Sequence, residues 1–168
     1  MRTLIITLAL ASALCGQELY QIPDNVQTPW FSPENPEGRV GFAGQANAGR
    51  KGSPSIPVKA GEQIVLAEVK GSSGAVRRIW MTIDQRDPQM LRSLRLEFYW
   101  DNESRPAINV PLGDFFGVGL GRMATFSSVF FASPEGRSFN CFIPMPFRKG
   151  ARIVSVRPTH LFMRAIQC

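Results

Sequence analysis

Between Leu94 and Asp101 the chain reads LRLEFYWD. On an extended backbone Leu94, Leu96, Phe98 and Trp100 share one side, while Arg95, Glu97, Tyr99 and Asp101 share the other. A strict period of two is what a strand needs to place one face in a core and the other in water; a helix would scatter the same four apolar residues around its circumference. A strand leaves its N–H and C=O groups to be paired by neighbours, so this segment commits the surrounding chain to building a sheet. Composition agrees: 15 Gly and 13 Pro among 168 residues are too many breakers for a helical bundle and suit short strands joined by turns.

Other segments extend the pattern. Ile64 to Val69 is a nearly continuous apolar run, which predicts a strand covered on both faces. Ser72-Ser73-Gly74 turns the chain. From Arg77 to Asp84 one face carries Arg77, Ile79, Met81 and Ile83, and the other, chemically mixed, carries Arg78, Trp80, Thr82 and Asp84. Asp87-Pro88 reads as the start of one short helical turn, with Asp87 as cap and Pro88 in the first position. Asp101-Asn102 predicts a tight reversal, because Asn tolerates the left-handed conformation such turns demand. Ile108 to Leu112, Phe126 to Ala132 and Phe139 to Phe147 supply further strands. The expected fold class is all-β, a sandwich or barrel.

The N-terminus reads as an export leader: Arg2, an apolar run from Leu4 to Leu14, then small residues that place cleavage between Ala13 and Gln17. The run is too short to span a bilayer. The expected location is therefore periplasmic or extracellular, with no membrane span. Lipid anchoring through Cys15 is the minority alternative, because Leu14 stands where a lipoprotein signal favours a small residue. The expected organisation is a leader over 1–16, an extended arm and loops over 17–59, the sandwich over 60–153 and a divergent tail over 154–168. The tail has no clear alternating face and holds Pro158, His160 and Cys168, the pattern expected of translation in a shifted frame. Net charge is +6, scattered without a dense basic patch, so nucleic acid is not an expected partner. Cys141, in an apolar stretch, is expected to be a small buried hydrophobe.

There is no P-loop, no GxGxxG opening a helix, and no Cys/His pair at metal-ligand spacing. What remains is carboxylates beside aromatics: Asp84, Glu97, Asp101, Glu103 and Asp114 near Trp80, Tyr99, Trp100, Phe115 and Phe116. Paired carboxyls can act on a glycosidic bond, and aromatic faces stack on the apolar faces of sugar rings. Each acid also has a structural reading, Asp101 as a turn former and Asp114 as a loop residue bonded to its own backbone, and Trp100 shares the core-type face of Phe98.

The runs Arg78 to Ile83 (RIWMTI), Leu94 to Asp101 (LRLEFYWD), Val110 to Gly117 (VPLGDFFG) and Pro134 to Pro146 (PEGRSFNCFIPMP) closely resemble glycoside hydrolase family 172, formerly domain of unknown function 2961. The resemblance covers roughly Trp30 to Ile153, with Asn102 where the family commonly has glycine. It implies a jelly-roll sandwich, the first of two in tandem, in trimer-based homo-oligomers. It also implies a retaining reaction of two glutamates, without a metal or organic cofactor, on furanosidic sugars, α-fructofuranosides or α-D-arabinofuranosides, in oligosaccharides or polysaccharides. Those glutamates fall in the family's second half, so no catalytic residue is carried onto this chain, which is expected to be inactive alone. The matched motifs assign Trp80, Trp100, Asp101, Asp114, Phe115 and Phe116 to a sugar-contacting wall or a subunit interface. A carbohydrate-binding jelly roll without turnover and a purely structural assembly module are the alternative functions.

Overall fold

The computed structural model describes residues 23–42, 44–50, 52 and 55–159, so the expected leader, Cys15, His160 and Cys168 lie outside the described residues. The strands are β1 (Gln63–Lys70), β2 (Gly74–Val76), β3 (Ile79–Met81), β4 (Arg95–Trp100), β5 (Ile108–Pro111), β6 (Phe126–Ser127), β7 (Phe131–Ser133), β8 (Phe139–Cys141), β9 (Met145–Phe147) and β10 (Gly150–Val156). Two short helices, α1 (Pro88–Ser93) and α2 (Leu112–Phe115), flank β4 and β5 in the chain. The architecture is the expected all-β sandwich. One sheet has the order β1-β10-β4-β5, the other β3-β8-β7-β6, and the pair β2-β9 lies between them in the chain.

One long antiparallel ribbon ties the sheets together. Gln63 pairs with Val156 at its start, Lys70 with Gly150, Gly74 with Phe147, Val76 with Met145, and Met81 with Phe139 at its end. The ribbon begins in one sheet as β1 and β10, continues as β2 and β9, and finishes in the other sheet as β3 and β8. A ribbon shared between two facing sheets in this way is the jelly-roll mode of closing a sandwich. At the crossing, Gly150 is required by space: a Cβ there would sit 2.6 Å from the carbonyl oxygen of Val69.

The alternation from Leu94 onward is realised as read. Leu94, Leu96 and Phe98 are buried, while Arg95, Glu97 and Tyr99 look outward. Phe98 stacks on Phe115 with ring centroids 5.0 Å apart, Phe115 meets Phe116 edge-on at 4.9 Å, and Phe116 reaches Phe139 of the opposite sheet at 5.3 Å. Burial of each such side chain contributes roughly 1.5–3 kcal/mol. Cys141 is fully buried in this core, and its burial pushes the thiol pKa up, so it behaves as a small hydrophobe.

Several local expectations are met and others change. Asp87 caps α1, its carboxylate accepting from the Met90 N–H at 3.0 Å, with Pro88 in the first position. Asp101 and Asn102 both have positive φ, and the Glu103 N–H closes the turn onto the Trp100 carbonyl at 3.0 Å. β1 forms where expected, at a sheet edge, but it is not covered on both faces, since Val65 is exposed. The strand foreseen from Arg77 to Asp84 is confined to Ile79–Met81. β10 runs through Val156, past the boundary expected at residue 153; Val154 and Ser155 are buried, and Arg157 bonds the carbonyls of Glu62 and Val58, each at 2.9 Å. In the preceding loops, buried Asn35 bonds the Trp30 and Arg39 carbonyls at 3.0 and 2.9 Å, and Phe31 covers Gly38.

Candidate functional site

The strand β3 is too short to hide its outward side chain. Ile79 and Met81 pack inward, so the intervening Trp80 points out, and it remains 47% exposed. By the same parity Arg78 and Thr82 flank it on that face. Opposite Trp80 in the ladder stands Asn140 of β8, buried although it faces outward. Its amide donates to the Ala132 carbonyl at 3.1 Å and to the Ser138 hydroxyl at 3.4 Å, and its oxygen accepts from the Arg78 guanidinium at 3.1 Å. Asn140 thus ties β8 to β7, to the turn that precedes β8 and to one arginine at once.

The turn between β7 and β8 rises beside this floor through Pro134, Glu135, Arg137 and Ser138, with Gly136 at φ +63° making the bend. Arg86 closes the remaining side, held by a bond to the Ile83 carbonyl. The result is an open groove of about 410 Å³ on the outer face of the sheet. It combines an aromatic wall, a rigid amide floor and hydroxyls from Thr82 and Ser138, the mixture with which proteins hold sugar rings. Its lining has one carboxylate, Glu135, which lies 3.7 Å from Arg137.

The other residues singled out in sequence lie elsewhere. Trp100 sits at the margin of the core, 6.0 Å from Phe98. Phe115 packs against that core, and Phe116 is 1% exposed within it. Asp114 is ion-paired with Arg92, whose guanidinium also reaches the Gly119 carbonyl at 3.5 Å. Asp101 is a clasp: one carboxylate oxygen accepts from the backbone N–H groups of Arg148 and Lys149, both at 2.7 Å, and pins the turn between β9 and β10 against the end of β4. The Lys149 and then the Arg148 N–H hold its pKa below the ordinary carboxylate value.

A second hollow of about 300 Å³ lies on the outer face of the β1-β10-β4-β5 sheet, bordered by Glu68, Tyr99, Glu103 and Arg152. Glu68, Tyr99 and Arg152 have partners within the sheet. Glu68 pairs with Lys70 at 2.9 Å, the Tyr99 hydroxyl donates to Glu97 at 2.6 Å, and the Arg152 guanidinium covers the Tyr99 ring at 4.1 Å. Glu97 also accepts from the Asn109 amide at 2.9 Å, and Arg95 binds Asn109 through its side-chain and backbone oxygens.

Trp80 was the one sequence-chosen residue to line the open groove; Asn140, Arg86, Arg137 and Ser138 were not foreseen as its companions. The signal that could have found them is the outward parity of Arg78 and Thr82, which marked the mixed face without showing what lies beside it. Among the described residues no group of three or more His, Cys, Asp or Glu side chains is placed to hold a metal ion, and no helix is long and apolar enough to cross a membrane. No curated protein matches the chain. A family model described as GH172 domain-like matches residues 50–159, which takes in both sheets and every residue of the groove. With most of its length matched, the chain belongs to the GH172 domain-like family.

Proposed function

We propose that this chain supplies a sugar-binding wall to an exported, trimer-based glycoside hydrolase acting on furanosidic sugars, and that Trp80 is the ring on which the sugar stacks. Family membership supports the substrate class. The observation that carries the binding role is the groove itself: a half-exposed tryptophan beside a floor locked by three hydrogen bonds of Asn140. A retaining reaction needs two carboxyls about 5–5.5 Å apart. Only Glu135 is offered by the groove lining, so the groove holds sugar and the catalytic glutamates act from elsewhere.

The full chain is titrated with arabinofuranosyl and fructofuranosyl oligosaccharides while indole fluorescence is followed, and sugar release is assayed in parallel. The expected result is a saturable change that Trp80→Ala abolishes, with no release by the chain alone. Release by the chain alone would overturn the placement of catalysis elsewhere. Absence of any saturable change would overturn the groove as a sugar site.

A further inference from the structure

We infer that the groove selects furanosidic sugars bearing a negatively charged carboxylate, and that Arg78 reads that charge; the inference rests on the sugar-binding reading above. Arg78, Arg86 and Arg137 border the groove, against the single carboxylate of Glu135. Arg137 lies 3.7 Å from Glu135, and the lining offers Arg78 and Arg86 no second carboxylate. The groove therefore concentrates an excess of positive charge next to an aromatic wall. Asp84, which follows on the same face of the chain, is not part of the lining.

The geometry favours a fixed charge reader over a mobile surface cation. Arg78 is oriented by Asn140, which is 5% exposed and tied to two other groups, and its guanidinium lies 5.4 Å from the centre of the Phe142 ring. A guanidinium presents five N–H donors in a planar fork that matches a carboxylate. The bond to Asn140 engages one of its two terminal nitrogens, Nη2. A neutral sugar would use the Trp80 face, Thr82 and Ser138 and gain little from three arginines. An acidic sugar uses both halves of the groove, with its ring on Trp80 and its carboxylate at Arg78.

The test compares one arabinofuranosyl oligosaccharide with the same oligosaccharide after oxidation of its primary hydroxyls to carboxylates, by calorimetric titration of the full chain. The oxidised form is expected to bind roughly ten-fold more tightly, as one charge-assisted pair would give. That preference should fall with rising salt and vanish in Arg78→Gln. If Arg78→Gln does not fold, the salt titration of the unmodified chain and the rim variant Arg137→Gln, expected to weaken the preference about two- to three-fold, still decide the matter. Equal, salt-independent binding of both forms would overturn the charge selection and leave furanoside binding standing. No binding of either would overturn both.

Discussion

On the outer face of the β1-β10-β4-β5 sheet, Arg95, Glu97, Tyr99 and Asn109 bond to one another across β4 and β5, and Arg152 covers Tyr99 from β10. On the outer face of the β3-β8-β7-β6 sheet, Trp80 stands half exposed beside three arginines and one carboxylate. Both faces are solvent-side strand surfaces with aromatic and charged residues. The first bonds its polar groups to one another along flat strands; the second gathers three arginines and a half-exposed aromatic around an open groove. Composition alone does not separate them. The shape of the face does.

The comparison depends on the shared core, and the largest expected effect is its loss. Phe116 contacts Phe115 on the side of β4 and Phe139 on the side of β8. Phe116→Ala should destabilise the chain by about 3–5 kcal/mol, and both faces should be lost in one cooperative transition. Chemical denaturation followed by tryptophan fluorescence and by far-ultraviolet circular dichroism checks this. Two separated transitions would mean that the faces belong to independently folding halves.

A smaller effect sets one asparagine against another. The Asn140 side chain makes three hydrogen bonds and that of Asn109 two, and Asn140 is buried while Asn109 is exposed. Asn140→Ala should cost about 1–3 kcal/mol, since it removes the partner of the Ala132 carbonyl and of the buried Ser138 hydroxyl. It should also weaken binding of the carboxylate-bearing sugar by releasing Arg78. Asn109→Ala should cost under about 1 kcal/mol, because water replaces what it loses, and should leave sugar binding intact. Equal losses in the two variants, measured by denaturation, would remove the distinction between a built site and a solvated face.

Much of the fold could be read from local pattern because local physics produces it. Leu94 to Trp100 is a strand since four apolar side chains at period two have one way to be buried together, and Asp87-Pro88 caps α1 by chemistry confined to four residues. The long ribbon was not legible: Gln63 finds Val156 and Met81 finds Phe139 across the whole intervening chain, and nothing in either segment marks its partner. That is also why the groove was seen only in part. Trp80 and Asn140 are neighbours by register alone, and Arg137 arrives on the turn that follows β7. The family motifs assign Phe115 and Phe116 to a sugar-contacting wall or a subunit interface, yet Phe115 at the end of α2 and Phe116 just after it both turn their rings into the core.

The smallest effect separates the faces by pH. Tyr99 has its pKa raised above the ordinary 10.0, first by its hydrogen bond to Glu97, then by desolvation and by the charge of Glu97, partly opposed by Arg152. A group whose folded pKa is raised contributes its stabilisation fully below the unfolded value and loses it as pH rises through the folded value. The self-paired face should therefore weaken at alkaline pH, above about 10. The groove lining contains no tyrosine, lysine or histidine, so it has no group that titrates there. Urea midpoints at about pH 8 and about pH 11 should fall more for the native chain than for Tyr99→Phe, which lacks the titrating hydroxyl. Sugar affinity, measured at alkaline pH wherever the chain stays folded, should not follow the same curve. An identical pH dependence in the native chain and Tyr99→Phe would show that the Tyr99–Glu97 bond contributes nothing to holding that face together.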